Sequence, residues 1–123
     1  MNKPCILFEM EDINKAVEHL RYKVIRDYGW KAYGHPLHTW DDGNRMLARC
    51  EKCGGLLLIQ ASEYHGMEDD DYYTDYFPVA SEEEADELNR KYNGFDIERE
   101  FEGKYLMRTN LYYHWSKQSS SDS

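Results

Sequence analysis

The sequence predicts an α+β fold: two helices packed on an antiparallel sheet of about five strands, with a zinc knuckle on a β-hairpin. Three observations lead there. Two segments carry apolar residues at helical spacing beside a capping residue, several short segments alternate or run apolar between turn residues, and "CEKCGG" sits between two of the latter. At 123 residues, 41% of them hydrophobic, the chain supplies one core and not two, so residues 1–118 are expected to form a single domain and 119–123 a solvated tail.

In chain order, Ile13, Ala16, Val17, Leu20, Val24 and Tyr28 recur at helical spacing between Asp12 and Gly29, which predicts a first helix over about 12–28. YGWKAYGHPLHTWDDGN holds glycines, a proline and no sustained period, and reads as a loop carrying His35, His38 and Trp40. RMLARC alternates and LLLIQA is a continuous apolar run, so the two form a hairpin whose turn bears Cys50 and Cys53. EYHGMEDDDYY reads as an acidic loop, followed by a short strand, TDYFPVA, with Pro78 at a sheet edge or strand end.

SEEEADELNRKYNG opens on a capping box, Ser81 with Glu84, and closes on Asn93-Gly94, predicting the second helix. FDIEREF sets Phe95, Ile97 and Phe101 against Asp96, Glu98 and Glu100, the alternation of a half-buried strand. KYLMRT and LYYHW supply one or two further strands around a turn at Asn110.

Cys50-x-x-Cys53-Gly54-Gly55 presents two thiols on a tight turn, the arrangement with which zinc knuckles begin. His38, twelve residues before Cys50, and His65, twelve after Cys53, are the expected remaining ligands, with His35 or Cys5 as substitutes. A redox dithiol of the thioredoxin kind needs the cysteines at a helix N-terminus, whereas glycines and a strand follow here. Four protein ligands leave no position for a reactive water, so the zinc is expected to be structural. Nucleobase deaminases share Cys-x-x-Cys but need a preceding His-x-Glu, which residues 35–49 lack. Without a phosphate-binding glycine loop or a nucleophile elbow, the chain is not expected to be an enzyme.

The formal net charge of −9 is concentrated: residues 63–102 hold fifteen Asp/Glu against three Lys/Arg. Such a surface repels phosphates, which argues against direct nucleic-acid binding and for a basic protein partner. Glu68, Asp69, Asp70, Asp71 and Asp75 interleave with Tyr72 and Tyr73, a mixture suited to a contact surface. Helix acids Glu83, Glu84 and Glu87 and strand acids Glu98 and Glu100 would extend it. No run is long enough to cross a bilayer, and the first fifteen residues do not form a signal peptide, so a cytoplasmic location is expected.

In overall character, a small, acidic, tyrosine-rich chain with "CEKCGG" and "DDDYYTDYFPVASEEEADELNRKY" resembles the type II-A anti-CRISPR proteins of phages and mobile elements, in particular a zinc-carrying member. That resemblance implies a non-enzymatic inhibitor of an RNA-guided type II CRISPR nuclease, whose basic channel an acidic protein would block to target DNA. The alternative is a zinc-ribbon-like accessory or regulatory protein of a mobile element, acting on another basic host protein.

Overall fold

The computed structural model describes residues 3–32, 42–65, 70–92, 97, 101–109 and 112–116. Within them, six strands follow one another in space as in sequence: β1 (Tyr22–Ala32), β2 (Asp42–Cys50), β3 (Leu56–His65), β4 (Asp70–Pro78), β5 (Leu106–Thr109) and β6 (Tyr112–Trp115), every neighbouring pair antiparallel. Two helices, α1 (Ile13–His19) and α2 (Glu82–Lys91), and a 3-10 turn at Ile6–Glu9 complete the α+β architecture. No helix among the described residues is long and apolar enough to cross a membrane.

Leu56 to Ile59 are apolar without alternation because β3 is buried on both faces. Leu57 and Ile59 pack with Ala48, Tyr76 and Leu106 beneath Leu7 and Ala16 of the N-terminal segment. Leu56 and Leu58 pack oppositely with Leu47, Phe77 and Val79, against Ala85 of α2 and Ile97. β2 and β3 form the predicted hairpin, with Arg49 opposite Leu56 and Leu47 opposite Leu58. Pro78 ends β4, where its missing N–H does least harm to the ladder.

The first helix is shorter than predicted. It stops at His19, Arg21 N–H donates to the His19 carbonyl at 2.8 Å, and the chain enters β1 at Tyr22. Residues 22–28 are rich in β-branched and aromatic side chains, which favour a strand. Register shifts between Val24 and Arg26 and between Asp27 and Gly29 break the two-residue alternation, which is why it reads as helical. Gly29, at φ 92°, adopts the left-handed conformation in the second shift.

Two expected loops also shrink. β1 and β2 consume the ends of the 28–44 segment, leaving 33–41 outside the described residues. β3 and β4 run through the acidic segment to His65 and from Asp70, so Tyr64, Asp70, Asp71 and Tyr72 are strand residues. The strand expected over FDIEREF is likewise corrected at its described positions. Ile97 is helical and buried, and its carbonyl accepts from Phe101 N–H at 3.0 Å, because Ile97 and Phe101 also satisfy a four-residue spacing.

α2 begins as predicted, with Ser81 Oγ accepting from Glu84 N–H at 3.0 Å while Glu84 Oε1 accepts from Ala80 N–H. Its end is held from the sheet. Arg45, fully buried on β2, donates through Nε to Gln60 Oε1 at 2.6 Å and through Nη1 to the Tyr92 carbonyl at 2.6 Å. Glu82 and Asp86 of α2 clasp Arg26 of β1, at 2.8 and 2.7 Å, and Tyr28 donates to the same Asp86 oxygen.

Candidate metal centre

The turn between β2 and β3 is built by its glycines. Gly54, at φ 76°, lets the chain reverse; its N–H donates to the Cys50 carbonyl at 2.9 Å, and Cys50 N–H donates to the Gly55 carbonyl at 2.7 Å. Gly55 has another task. A Cβ there would lie 2.5 Å from Cys5 Cα and 2.6 Å from Cys5 N, so only glycine admits the N-terminal segment at that point. That segment pairs with the start of β3: Cys5 N–H donates to the Leu56 carbonyl at 3.0 Å, and Leu56 N–H to the Lys3 carbonyl at 2.7 Å. Cys5 is thereby delivered beside the knuckle.

His19 arrives from the last turn of α1. Its Nε2 lies 3.4 Å from Cys50 Sγ, and Cys53 Sγ lies 3.7 Å from Cys5 Sγ. One ligand atom from each of Cys5, His19, Cys50 and Cys53 lies within 4.8 Å of all the others. The spacing fits a metal. Ligands at tetrahedral corners, ~2.3 Å from zinc for sulfur and ~2.0 Å for nitrogen, stand roughly 3.8 Å apart for two sulfurs and about 3.5 Å for sulfur and nitrogen. The Cys3His group is therefore suited to a metal such as zinc.

The surroundings favour thiolates at one corner and oppose them at another. Burial works against the charged form of Cys53, but hydrogen bonding from His19, from the Ile6 and Gly55 backbone and from Cys50 outweighs it, and the thiol is lowered to about 6. Burial pushes the Cys5 thiol well above its ordinary value. A bound dication reverses that preference, since it replaces lost hydration with direct coordination. Lys52 N–H donates to Cys50 Sγ at 3.3 Å, a contact that supports a ligating thiolate. Cys5 and Cys50 are buried and Cys53 is partly exposed. Four donors around one point leave no open coordination position for substrate or water.

Cys50 and Cys53, the ligands expected from the sequence, are two of the four residues in this group, and Cys5, a substitute ligand in the sequence reading, is a third. His65 does not take the expected position: it stands at the far end of β3, opposite Asp70, about 30 Å of extended strand from Leu56. His35 and His38 lie outside the described residues. His19 went unrecognised because a helix continuing to residue 28 buries its significance; the signal would have been a helix ending at it, next to a strand paired with the knuckle.

The acids divide. Glu83, Glu84 and Glu87 are exposed on α2, whereas Asp75 is buried, sharing a row across the sheet with Gln60 and Arg45. Asp75 is therefore no surface contact; it faces the same side as Phe77 two residues on. Tyr73 is half-buried in β4, opposite Ser62 and Thr109. Glu68, Asp69, Glu98 and Glu100 lie outside the described residues.

Comparison with known protein families, curated proteins and solved structures finds no match to this chain.

Proposed function

We propose that this protein is a non-catalytic binding module, with a structural zinc at Cys5, His19, Cys50 and Cys53 and an acidic surface that docks on a basic protein. The observation that carries the reading is the closed donor set: four ligand atoms converge within 4.8 Å, joining the N-terminal segment and α1 to the β2–β3 turn. Such a centre staples a small fold and has no vacancy for chemistry. The second support is charge. Glu83, Glu84 and Glu87 are exposed on α2, in the same block that gives the chain its acidity.

The partner proposed is the RNA-guided type II CRISPR nuclease, with the basic channel for nucleic acid as the surface engaged and target-DNA loading as the step blocked. The test is target-DNA binding by the guide-loaded nuclease, titrated with the zinc-loaded protein and with protein stripped by a chelator. Loss of DNA binding with the loaded protein alone is the expected result. Undiminished DNA binding at large molar excess eliminates this partner and leaves a basic host protein of another kind.

A further inference from the structure

We infer that Cys53 and Cys5 form a hydroperoxide-responsive pair, Cys53 being the sulfur attacked first and Cys5 the sulfur that resolves it, and that their disulfide releases the bound zinc. The release rests on the zinc reading proposed above; the choice of pair does not. Access selects the first sulfur. Cys5 is 1% and Cys50 2% exposed, whereas Cys53, at the outer corner of the turn, is partly open to solvent. Proximity selects the second: Cys5 Sγ is 3.7 Å from Cys53 Sγ, so closing to a disulfide length of ~2.0 Å needs a shift of under about 2 Å, within side-chain reach. Cys50 also hydrogen-bonds to Cys53, but its sulfur is engaged by His19 Nε2 at 3.4 Å and by the Lys52 N–H at 3.3 Å, contacts that a disulfide through Cys50 would have to break.

In the first step the Cys53 sulfur attacks one peroxide oxygen, forming an S–O bond as the O–O bond breaks, and the departing oxygen takes a proton from solvent. In the second, the Cys5 sulfur displaces hydroxide from the sulfenic acid, forming S–S and breaking S–O, and the hydroxide leaves as water. Two thiolates are oxidised by one hydrogen peroxide, with two protons taken up and two waters formed. Zinc leaves unchanged in oxidation state, since Cys50 and His19 alone do not complete a tetrahedral site. The N-terminal segment stays beside Leu56, now held covalently, and the His19 end of α1 loses its anchor.

The experiment treats the full, zinc-loaded chain with hydrogen peroxide, follows zinc with a chromogenic chelator, and maps disulfides by mass spectrometry of non-reduced peptides. The expected result is a cross-link between the Cys5 and Cys53 peptides, appearing with one zinc released per cross-link and reversed by dithiothreitol. A Cys50–Cys53 disulfide, or oxidised sulfur without a Cys5 cross-link, overturns the proposal, as does zinc retained in cross-linked protein. If the chain binds no zinc, the structural-zinc reading fails by that result, while the peptide map of the same metal-free protein still decides which cysteines pair. A Cys5→His variant retains a four-donor set and removes the resolving sulfur; zinc release from it as fast as from the parent also overturns the proposal.

Discussion

Gly55 and Cys5 are in backbone contact: a Cβ on Gly55 would lie 2.5 Å from Cys5 Cα, and 2.6 Å from the Pro4 carbonyl oxygen. The contact is backbone on backbone, so no side-chain rotation relieves it. Gly55→Ala is expected to push the N-terminal segment off β3 and draw Cys5 out of the donor set, costing roughly 1–3 kcal/mol and weakening zinc binding. Gly54→Ala strains a left-handed turn by ~1–2 kcal/mol but meets no atom within 4 Å. Zinc competition with a chelator separates the two. Equal affinity in Gly55→Ala and the parent would contradict the role given to Cys5.

Arg45 is a fully buried polar tie between the sheet and the end of α2. Arg45→Met removes the donor to the part-buried Tyr92 carbonyl and to the buried Gln60 amide oxygen, and about 1–3 kcal/mol of stability is expected to be lost in urea unfolding. Arg45→Lys is expected to recover little, because one ammonium does not reproduce donors from both Nε and Nη1.

The clasp between β1 and α2 gives a pH dependence with two sides. The Tyr28 hydrogen bond, followed by Arg26, holds Asp86 below its ordinary value, so its contribution is present above about pH 4 and lost as pH falls through the lowered value. Tyr28 is pushed up to about 12 by burial and by Asp86; its contribution is complete below about pH 10 and lost as pH rises through 12. Asp86→Asn is expected to flatten both limbs in thermal unfolding measured across pH. All three groups are more than a third open or near the surface, so the effect is modest and shrinks in salt.

Burial predicts opposite outcomes for acids that look alike in sequence. Glu83→Lys and Glu87→Lys change exposed positions, and are expected to leave stability within about 0.5 kcal/mol while weakening any basic partner. Asp75→Ala is expected to cost about 1–3 kcal/mol, because Asp75 is buried in the row with Gln60 and Arg45. Calorimetry on the free protein distinguishes them before any partner is involved.

Half of the metal centre was legible because its ligands are adjacent in sequence: Cys50 and Cys53 with two glycines announce a turn with converging thiols. Cys5 and His19 reach the site through tertiary pairing, one through a parallel bridge to Leu56 and the other through an early helix end. No local period records either event. The β2–β3 hairpin and α2 were readable from an apolar run and a capping box, whereas β1 was not, since its register shifts erase the alternation that marks a strand. Asp75 lies in TDYFPVA, which reads as a strand, but the acids and tyrosines before it group it with a contact surface, whereas the two-residue repeat of β4 turns it inward with Phe77.

The most direct measurement is the zinc content of the purified chain, followed by thermal unfolding of the same sample before and after chelation. The account predicts one zinc per chain, lost on chelation together with several degrees or more of unfolding temperature, and a similar loss in Cys5→Ser and His19→Ala. A chain that binds no zinc, or that unfolds at the same temperature with and without it, would contradict the account.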